Sequence, residues 1–216
     1  MELLDRRSIR VTRGFHGGPR SSTEISLKGD AYLRDDWQGE AMIPYGGRNP
    51  FSDRDVGLVH LFRGEAGPMC WDEAEQSRCG LSRVWTGKKN PLVRFVNEHF
   101  EPAGGFFKEA QGFSEGVCAV LGRHRRWSFI DIDGRPAFNG AFEETTAMYR
   151  GVALVRTGGK WGAIDRGGRF LTERGEWDDV CGIGGQHECF FARRGAKRYI
   201  VLRTSLRRRQ AWEGSE

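Results

Sequence analysis

Apolar positions in this chain come in short runs of about four residues, separated by charged, glycine-containing links, and the runs recur. Val56-Gly-Leu-Val59, Val93-Arg-Phe-Val96, Trp127-Ser-Phe-Ile130, Trp161-Gly-Ala-Ile164 and Arg198-Tyr-Ile-Val201 follow one another at spacings of 37, 34, 34 and 37. A second landmark marches with them, an aromatic residue followed two positions later by an acid: Trp71 and Glu73, Phe107 and Glu109, Phe142 and Glu144, Trp177 and Asp179, at spacings of 36, 35 and 35. In three of the four, a glycine stands nine residues after the aromatic, at Gly80, Gly116 and Gly151. Self-similarity at a fixed period of this size is the mark of a repeat architecture and outranks any element-by-element reading.

Inside each unit the pattern predicts strand, turn and strand. Gly116-Val-Cys-Ala-Val120 and Gly151-Val-Ala-Leu-Val155 are rich in small and β-branched apolar residues and lead into charged links. The following strands, 127–130 and 161–164, end in Asp131-Ile-Asp-Gly134 and Asp165-Arg-Gly-Gly168. An aspartate there can hydrogen-bond backbone two residues on, and a glycine accepts positive φ, so each quartet reverses the chain. A third short strand is predicted at 135–138 and 169–172. The fold class is therefore all-β: tandem antiparallel β-hairpin repeats of about 35 residues, in an open solenoid-like array, with a closed propeller or barrel-like ring as the alternative. One such unit cannot bury enough apolar surface to stand alone, whereas stacked neighbours share a core. Trp71, Phe107, Phe142 and Trp177 are expected to form a row between units. Their acids Glu73, Glu109, Glu144 and Asp179 would then align, either balanced by Arg83, Arg126, Lys160 and Lys197 or left as a solvated edge.

Residues 51–202 form the repeat domain on this reading, residues 1–50 an N-terminal cap or degenerate repeat, and residues 203–216 a basic tail, flexible or helical. Within the cap, 17–22 reads as a loop, 25–27 and 31–33 as a hairpin, and 39–44 as the third strand of a unit. Repeat arrays cover exposed sheet edges with atypical terminal units.

At these residues the chain resembles the WG-repeat (KWG) family of bacterial proteins, whose unit looks like F-x-E-G-L-A-x-V, a charged turn, then K-W-G-x-I-D-x-x-G. The chain supplies Phe113-Ser-Glu-Gly-Val-Cys-Ala-Val120 and Gly159-Lys-Trp-Gly-Ala-Ile-Asp165-Arg-Gly-Gly168, and Cys79-Gly-Leu-Ser-Arg-Val84 matches the strand half. The resemblance spans residues 56–202 and weakens in the outer units, where Val56, Val93 and Arg198 replace the tryptophan and Arg94, Ser128 and Tyr199 replace the following glycine. It implies an all-β interaction module with no catalytic constellation, in which the signature residues are structural. Trp127 and Trp161 would pack between repeats, Gly162, Gly134 and Gly168 would allow close approach and turns, and Asp131 and Asp165 would fix the turns.

Charge narrows the partner classes. The chain has 34 Lys+Arg against 29 Asp+Glu, but residues 189–212 hold eight cations and no acid, leaving 26 cations against 29 acids elsewhere. Only the C-terminal end could therefore track a phosphate backbone, through Arg193, Arg194, Arg207, Arg208 and Arg209, with Tyr199 or Trp212 for stacking. No run approaches the roughly 18 apolar residues of a spanning helix, so no membrane insertion is expected. The start, MELLDRRSIRVTR, lacks a signal-peptide pattern. With an odd five cysteines, that favours a reducing, cytoplasmic setting.

Catalytic and metal patterns are sparse. There is no C-x-x-C, G-x-S-x-G or phosphate-loop motif, and His187-Glu188-Cys189 is one isolated cluster. The five histidines share no context, although His60 occupies the turn position of Asn97, Asp131 and Asp165. No cofactor, metal or enzymatic activity is expected. The expected function is a non-enzymatic protein-binding or scaffold module, as a subunit of a larger assembly or an immunity or adaptor protein, with a protein partner. A nucleic-acid-associated role for the basic C-terminal segment is the alternative. Because exposed arginine is a favoured interface anchor, Arg123, Arg125, Arg126 and Arg150 are the candidate contact patch.

Overall fold

The computed structural model describes residues 2–5, 8–13, 21–26, 42–46, 56–68, 70–75, 78–87, 89–181 and 188–206. The chain divides into two compact units, Met1–Phe106 and Phe107–Glu216. Among the described residues both are built of small antiparallel sheets, none closed into a barrel. The chain is an all-β repeat array.

In the first unit, β1 (Glu2–Asp5), β2 (Ser8–Arg13) and β3 (Ser21–Ser26) make one sheet in that order. Ser21 and Ser22, expected in a loop, thus begin a strand, and Ile25 pairs with Ile9. The alternation Ser-Ile-Arg-Val-Thr-Arg in β2 suits it to this pleated pairing. Residues 31–33, expected as its partner, lie outside the described residues. A second sheet joins β4 (Met42–Gly46), β5 (Val56–His60) and β6 (Glu65–Ala66). Met42 onward is therefore the first strand of a hairpin with β5, not a third strand. The reason is Tyr45: fully buried, its ring lies over Gly57, where a Cβ would come within 2.6 Å of it, and its hydroxyl donates to Gly67 O at 2.7 Å. The third sheet runs β10 (Pro102–Phe107), β9 (Leu92–Asn97), β8 (Leu81–Thr86), β7 (Glu73–Ala74). Val56, Leu58, Ala74, Val84 and Val96 form a core flanked by Trp71 and Phe100.

The second unit holds three copies of one sheet. They are β11 (Glu109–Ala110), β12 (Val117–Leu121) and β13 (Trp127–Asp131); β14 (Glu144–Thr145), β15 (Ala153–Thr157) and β16 (Lys160–Ile164); and β17 (Asp179–Cys181), β18 (Cys189–Arg194) and β19 (Lys197–Leu202). Their registers coincide. Glu109 pairs with Leu121, Glu144 with Arg156 and Asp179 with Arg193. Across the hairpins Leu121 pairs with Trp127, Arg156 with Trp161 and Arg193 with Arg198.

The aromatic-acid landmark is the crossing between sheets. Phe142 exchanges backbone bonds with Trp127 of β13, and two residues on Glu144 already pairs with β15. Trp177 does the same from Trp161 of β16 to β18, and Trp71 from Val56 of β5 to β8. Phe107 differs in being the last residue of the continuous β10. Within the second unit the rings take successive inter-sheet cores: Phe142 lies in the core between the first two sheets, edge-on to Phe129 at 6.3 Å, and Trp177 in the core between the next two, edge-on to Phe190 at 5.3 Å. The expected third strands shrink to single bridges, Ile130 to Pro136 and Ile164 to Phe170.

The glycine nine residues after each aromatic closes a second turn. Cys79-Gly80, Glu115-Gly116 and Arg150-Gly151 are two-residue turns with both φ values positive, 54° and 79°, 55° and 84°, 51° and 75°, as the twist-matched hairpin turn requires. The expected basic tail begins as a single helical turn, 203–206, in which Arg203 and Leu206 are buried, while residues 207–216 lie outside the described residues.

Candidate interaction surface

Among the described residues, four of the repeats fix a turn with a side-chain acceptor. Asp131 Oδ1 accepts from the N–H groups of Asp133 and Arg135 at 3.0 and 2.9 Å, and Asp165 Oδ1 from those of Gly167 and Arg169 at 2.9 Å each. Asn97 Oδ1 holds His99 and Glu101 N–H in the same way at 2.9 Å each, and His60 Nδ1 accepts from Arg63 N–H at 3.1 Å. Gly134 and Gly168 complete two of these turns with φ of 76° and 77°. Gly162 lies beneath Phe170, where a Cβ would stand 3.1 Å from the ring.

A second set of acids escaped the sequence reading. The residue between the aromatic and the acid of the landmark clamps the next hairpin turn: Asp72 Oδ2 accepts from Gly87 N–H at 2.7 Å, Glu143 from Gly158 and Gly159 at 3.0 and 2.9 Å, Asp178 Oδ2 from Gly195 at 2.6 Å. The Gly159 N–H, aided by Arg126, holds the Glu143 carboxyl below its ordinary value, and the Gly195 N–H, aided by Lys160, does so for Asp178. The pairing of charges is accordingly different from that expected. Arg126 and Lys160 meet these middle acids, at 3.4 Å from Glu143 and 3.2 Å from Asp178, while Glu144 pairs with Arg156 and Arg83 grips Glu75 at 2.7 Å. The readable signal was the acid that repeats at the middle position everywhere except Lys108.

That exception shapes the first candidate patch. With Lys108 in the clamp position, the turn 122–126 carries Arg123, His124, Arg125 and Arg126, all exposed, with Arg125 at φ 55°. Arg150 does not join them. Its turn stacks on the turn 114–117 at the opposite end of β12, where Gly151 N–H donates to Glu115 at 2.8 Å and Ser114 Oγ to Met148 O at 2.6 Å. Arg150 itself pairs with Glu188 at 2.6 Å, and its guanidinium is made more basic chiefly by Tyr149 and then by Glu188.

One period of this geometry, from the tryptophan of one hairpin to the tryptophan of the next, decides the family likeness. Residues 127–161 match the family model of the WG containing repeat. A comparison with curated proteins finds no match. In this WG containing repeat the tryptophan seats in an inter-sheet core, with Trp161 buried among Leu154, Ala163 and Trp177 and Trp127 flanking Phe129 and Phe142.

Among the described residues, the last repeat has no neighbour on one face. The pair Ala119–Phe129 packs against the following sheet, as does Leu154–Ala163, and all four residues are at most 1% exposed. The equivalent pair in the last hairpin, Phe191–Ile200, is 52% and 69% exposed, and Leu202 beside it is 50% exposed. Arg193 and Arg198 sit on this same face, Arg194 and Lys197 at its rim, all exposed. Arg203 is withdrawn from the surface. It is 1% exposed, its guanidinium lies 5.7 Å from both the Tyr149 and Phe190 rings and donates to Val152 O at 2.9 Å, and burial makes it less basic than an ordinary arginine. Arg207, Arg208 and Arg209 lie outside the described residues. Among the described residues no helix is long and apolar enough to cross a membrane.

Proposed function

We propose that this protein is a non-enzymatic, cytoplasmic repeat module that binds a partner protein through the outer face of its last hairpin. The observation that carries the proposal is the exposure of Phe191 and Ile200 at the register where the two preceding repeats of the second unit bury their pairs, Ala119–Phe129 and Leu154–Ala163, against the next sheet. An apolar centre with arginine around it has the composition of an interface core and rim. A partner presenting an apolar β-surface completes it as a following repeat would, which suits a subunit or adaptor. The test is affinity capture from native lysate with the wild-type chain, the Phe191→Glu/Ile200→Glu variant and, as a distant control, Arg123→Glu. A partner retained by wild type and control but lost from the double variant supports the proposal. Equal capture by all three, or loss only with Arg123→Glu, overturns it.

A nucleic-acid role remains the second reading, favoured by the exposed, acid-free run of Arg193, Arg194, Lys197 and Arg198. Its mark is binding to single-stranded nucleic acid that weakens steeply with salt. Capture that is insensitive to salt and to nuclease speaks against it.

A further inference from the structure

The open edge of β19 differs from the edges of the equivalent strands. On β13, Phe142 exchanges both backbone bonds with Trp127 at 2.9 Å each, and Ala137 N–H donates to Phe129 O at 2.9 Å. On β16, Trp177 exchanges bonds with Trp161 at 2.8 and 3.0 Å, and Leu171 N–H donates to Ala163 O at 2.8 Å. By register, Arg198 stands where Trp127 and Trp161 stand, and Ile200 where Phe129 and Ala163 stand. The N–H and C=O of Arg198 and the C=O of Ile200 therefore face away from β18, toward an edge that no described residue bridges. Beside this edge lies a groove of about 780 Å³ in which Trp177, Tyr199 and Leu206 offer apolar surface and Glu173, Glu176 and Arg194 add charge of both signs.

The charge at the strand's start repeats too. Arg126 precedes Trp127 and meets Glu143; Lys160 precedes Trp161 and meets Asp178. Lys197 precedes Arg198 in the same way, is exposed, and has no carboxylate partner among the described residues. An edge built for an aromatic residue followed by an acid, with Lys197 positioned for that acid, complements such a segment in charge at its Lys197 end, while Glu173 in the groove is already paired with Arg194 at 3.8 Å.

The chain's own return to this edge is not encoded as it is elsewhere. Leu202 occupies the register of Asp131 and Asp165, so the side-chain acceptor that reverses the earlier repeats is missing. The backbone instead enters the helical turn 203–206, anchored by Arg203 and Leu206 in the core. Tyr199 stands in place of Gly162, the position over which Phe170 of the return segment passes.

We propose that the β19 edge and its groove bind an extended segment of a partner protein in which an aromatic residue is followed directly by carboxylates. The segment adds as a strand, its aromatic residue pairing with the Arg198 backbone and filling the groove, its first carboxylate meeting Lys197. This rests on the reading of the last hairpin as the partner-binding element and specifies what the partner brings. Trp212-Glu213, 35 residues after Trp177, is the competing occupant from the same chain.

The probe is a fluorescein-labelled peptide of this protein's own residues 139–145, Asn-Gly-Ala-Phe-Glu-Glu-Thr, titrated by fluorescence anisotropy. It is titrated with the full chain, the chain ended after Leu206, and the full-length Lys197→Glu variant, whose fold is checked by circular dichroism. Expected are saturable binding to the first two with similar affinity, at least about tenfold weaker binding to the charge-reversed variant, and none when the peptide's phenylalanine is alanine. Absence of saturation up to about 1 mM, binding indifferent to Lys197→Glu, or binding that emerges only after residues 207–216 are removed would each overturn the proposal. The last outcome assigns the edge to Trp212. Partner capture that still depends on Phe191 while the peptide fails sinks this inference alone and leaves the protein-binding reading standing.

Discussion

Trp161 and Trp177 hold each other by two backbone hydrogen bonds, 2.8 and 3.0 Å long, and two residues later the chain has joined the next sheet. The Trp177 ring meanwhile fills the core shared by the two sheets, 3% exposed and edge-on to Phe190. One residue thus closes one repeat and opens the next. Trp177→Ala is expected to destabilise the second unit by about 3–5 kcal/mol, the cost of emptying a large buried aromatic site, read from urea denaturation. Trp177→Phe, which keeps the backbone bonds and much of the volume, is expected to cost clearly less; equal costs would mean that the ring does not pack as described.

Glu143 and Asp178 make stability depend on acid. Both carboxyls are held below their ordinary values of 4.5 and 3.8, mainly by glycine N–H groups in the next turn. The folded protein then binds these protons less readily than the unfolded chain, so their contribution is complete above the ordinary values and disappears as pH falls through the lowered ones. Glu143→Gln is expected to lower Tm at neutral pH and to flatten the loss of Tm between about pH 5 and pH 3. A variant with the wild-type acid limb would show that the clamp is not formed in solution.

Gly168 is irreplaceable on two counts. Its φ is 77°, and a Cβ there would lie 2.3 Å from Phe138 Cδ2. Gly168→Ala is expected to cost about 2–4 kcal/mol from the left-handed backbone and the displaced ring together. Gly158→Ala, with positive φ but nothing near the added carbon, is the control and should cost about 1–2 kcal/mol.

Arg203 is a buried peg. Arg203→Ala removes its ring contacts and its bond to Val152 O and is expected to destabilise by about 2–4 kcal/mol, with Arg203→Met recovering part of that by refilling the space. Neutral behaviour of both in thermal denaturation would place the guanidinium in solvent.

The sequence made the repeat legible because two landmarks with different chemistry kept one period, and each proved to be a fixed place in the fold. The paired strands around Trp127 and Trp161 followed from apolar runs bounded by Asp-x-x-Gly turns. Four features were hidden. The turn at Glu115-Gly116 demands φ > 0 at a glutamate, which propensity does not announce. The clamp by Glu143 joins residues of successive hairpins, and only a comparison of middle positions across units, Asp72, Lys108, Glu143 and Asp178, would have exposed it. Arg203 sits in a basic run whose described neighbours Arg193, Arg194, Lys197 and Arg198 are exposed, and burial of one guanidinium is decided by the rings of Tyr149 and Phe190. The bare face of Phe191 and Ile200 needed coordinates, because its sequence is as apolar as faces that are covered.

Amide hydrogen exchange of the protein with its captured partner tests the role of the last hairpin most directly. New protection is expected in residues 189–202, with the turn 122–126 exchanging as in the free protein. Protection centred on 122–126 or on the first unit, with 189–202 unaltered, would contradict it.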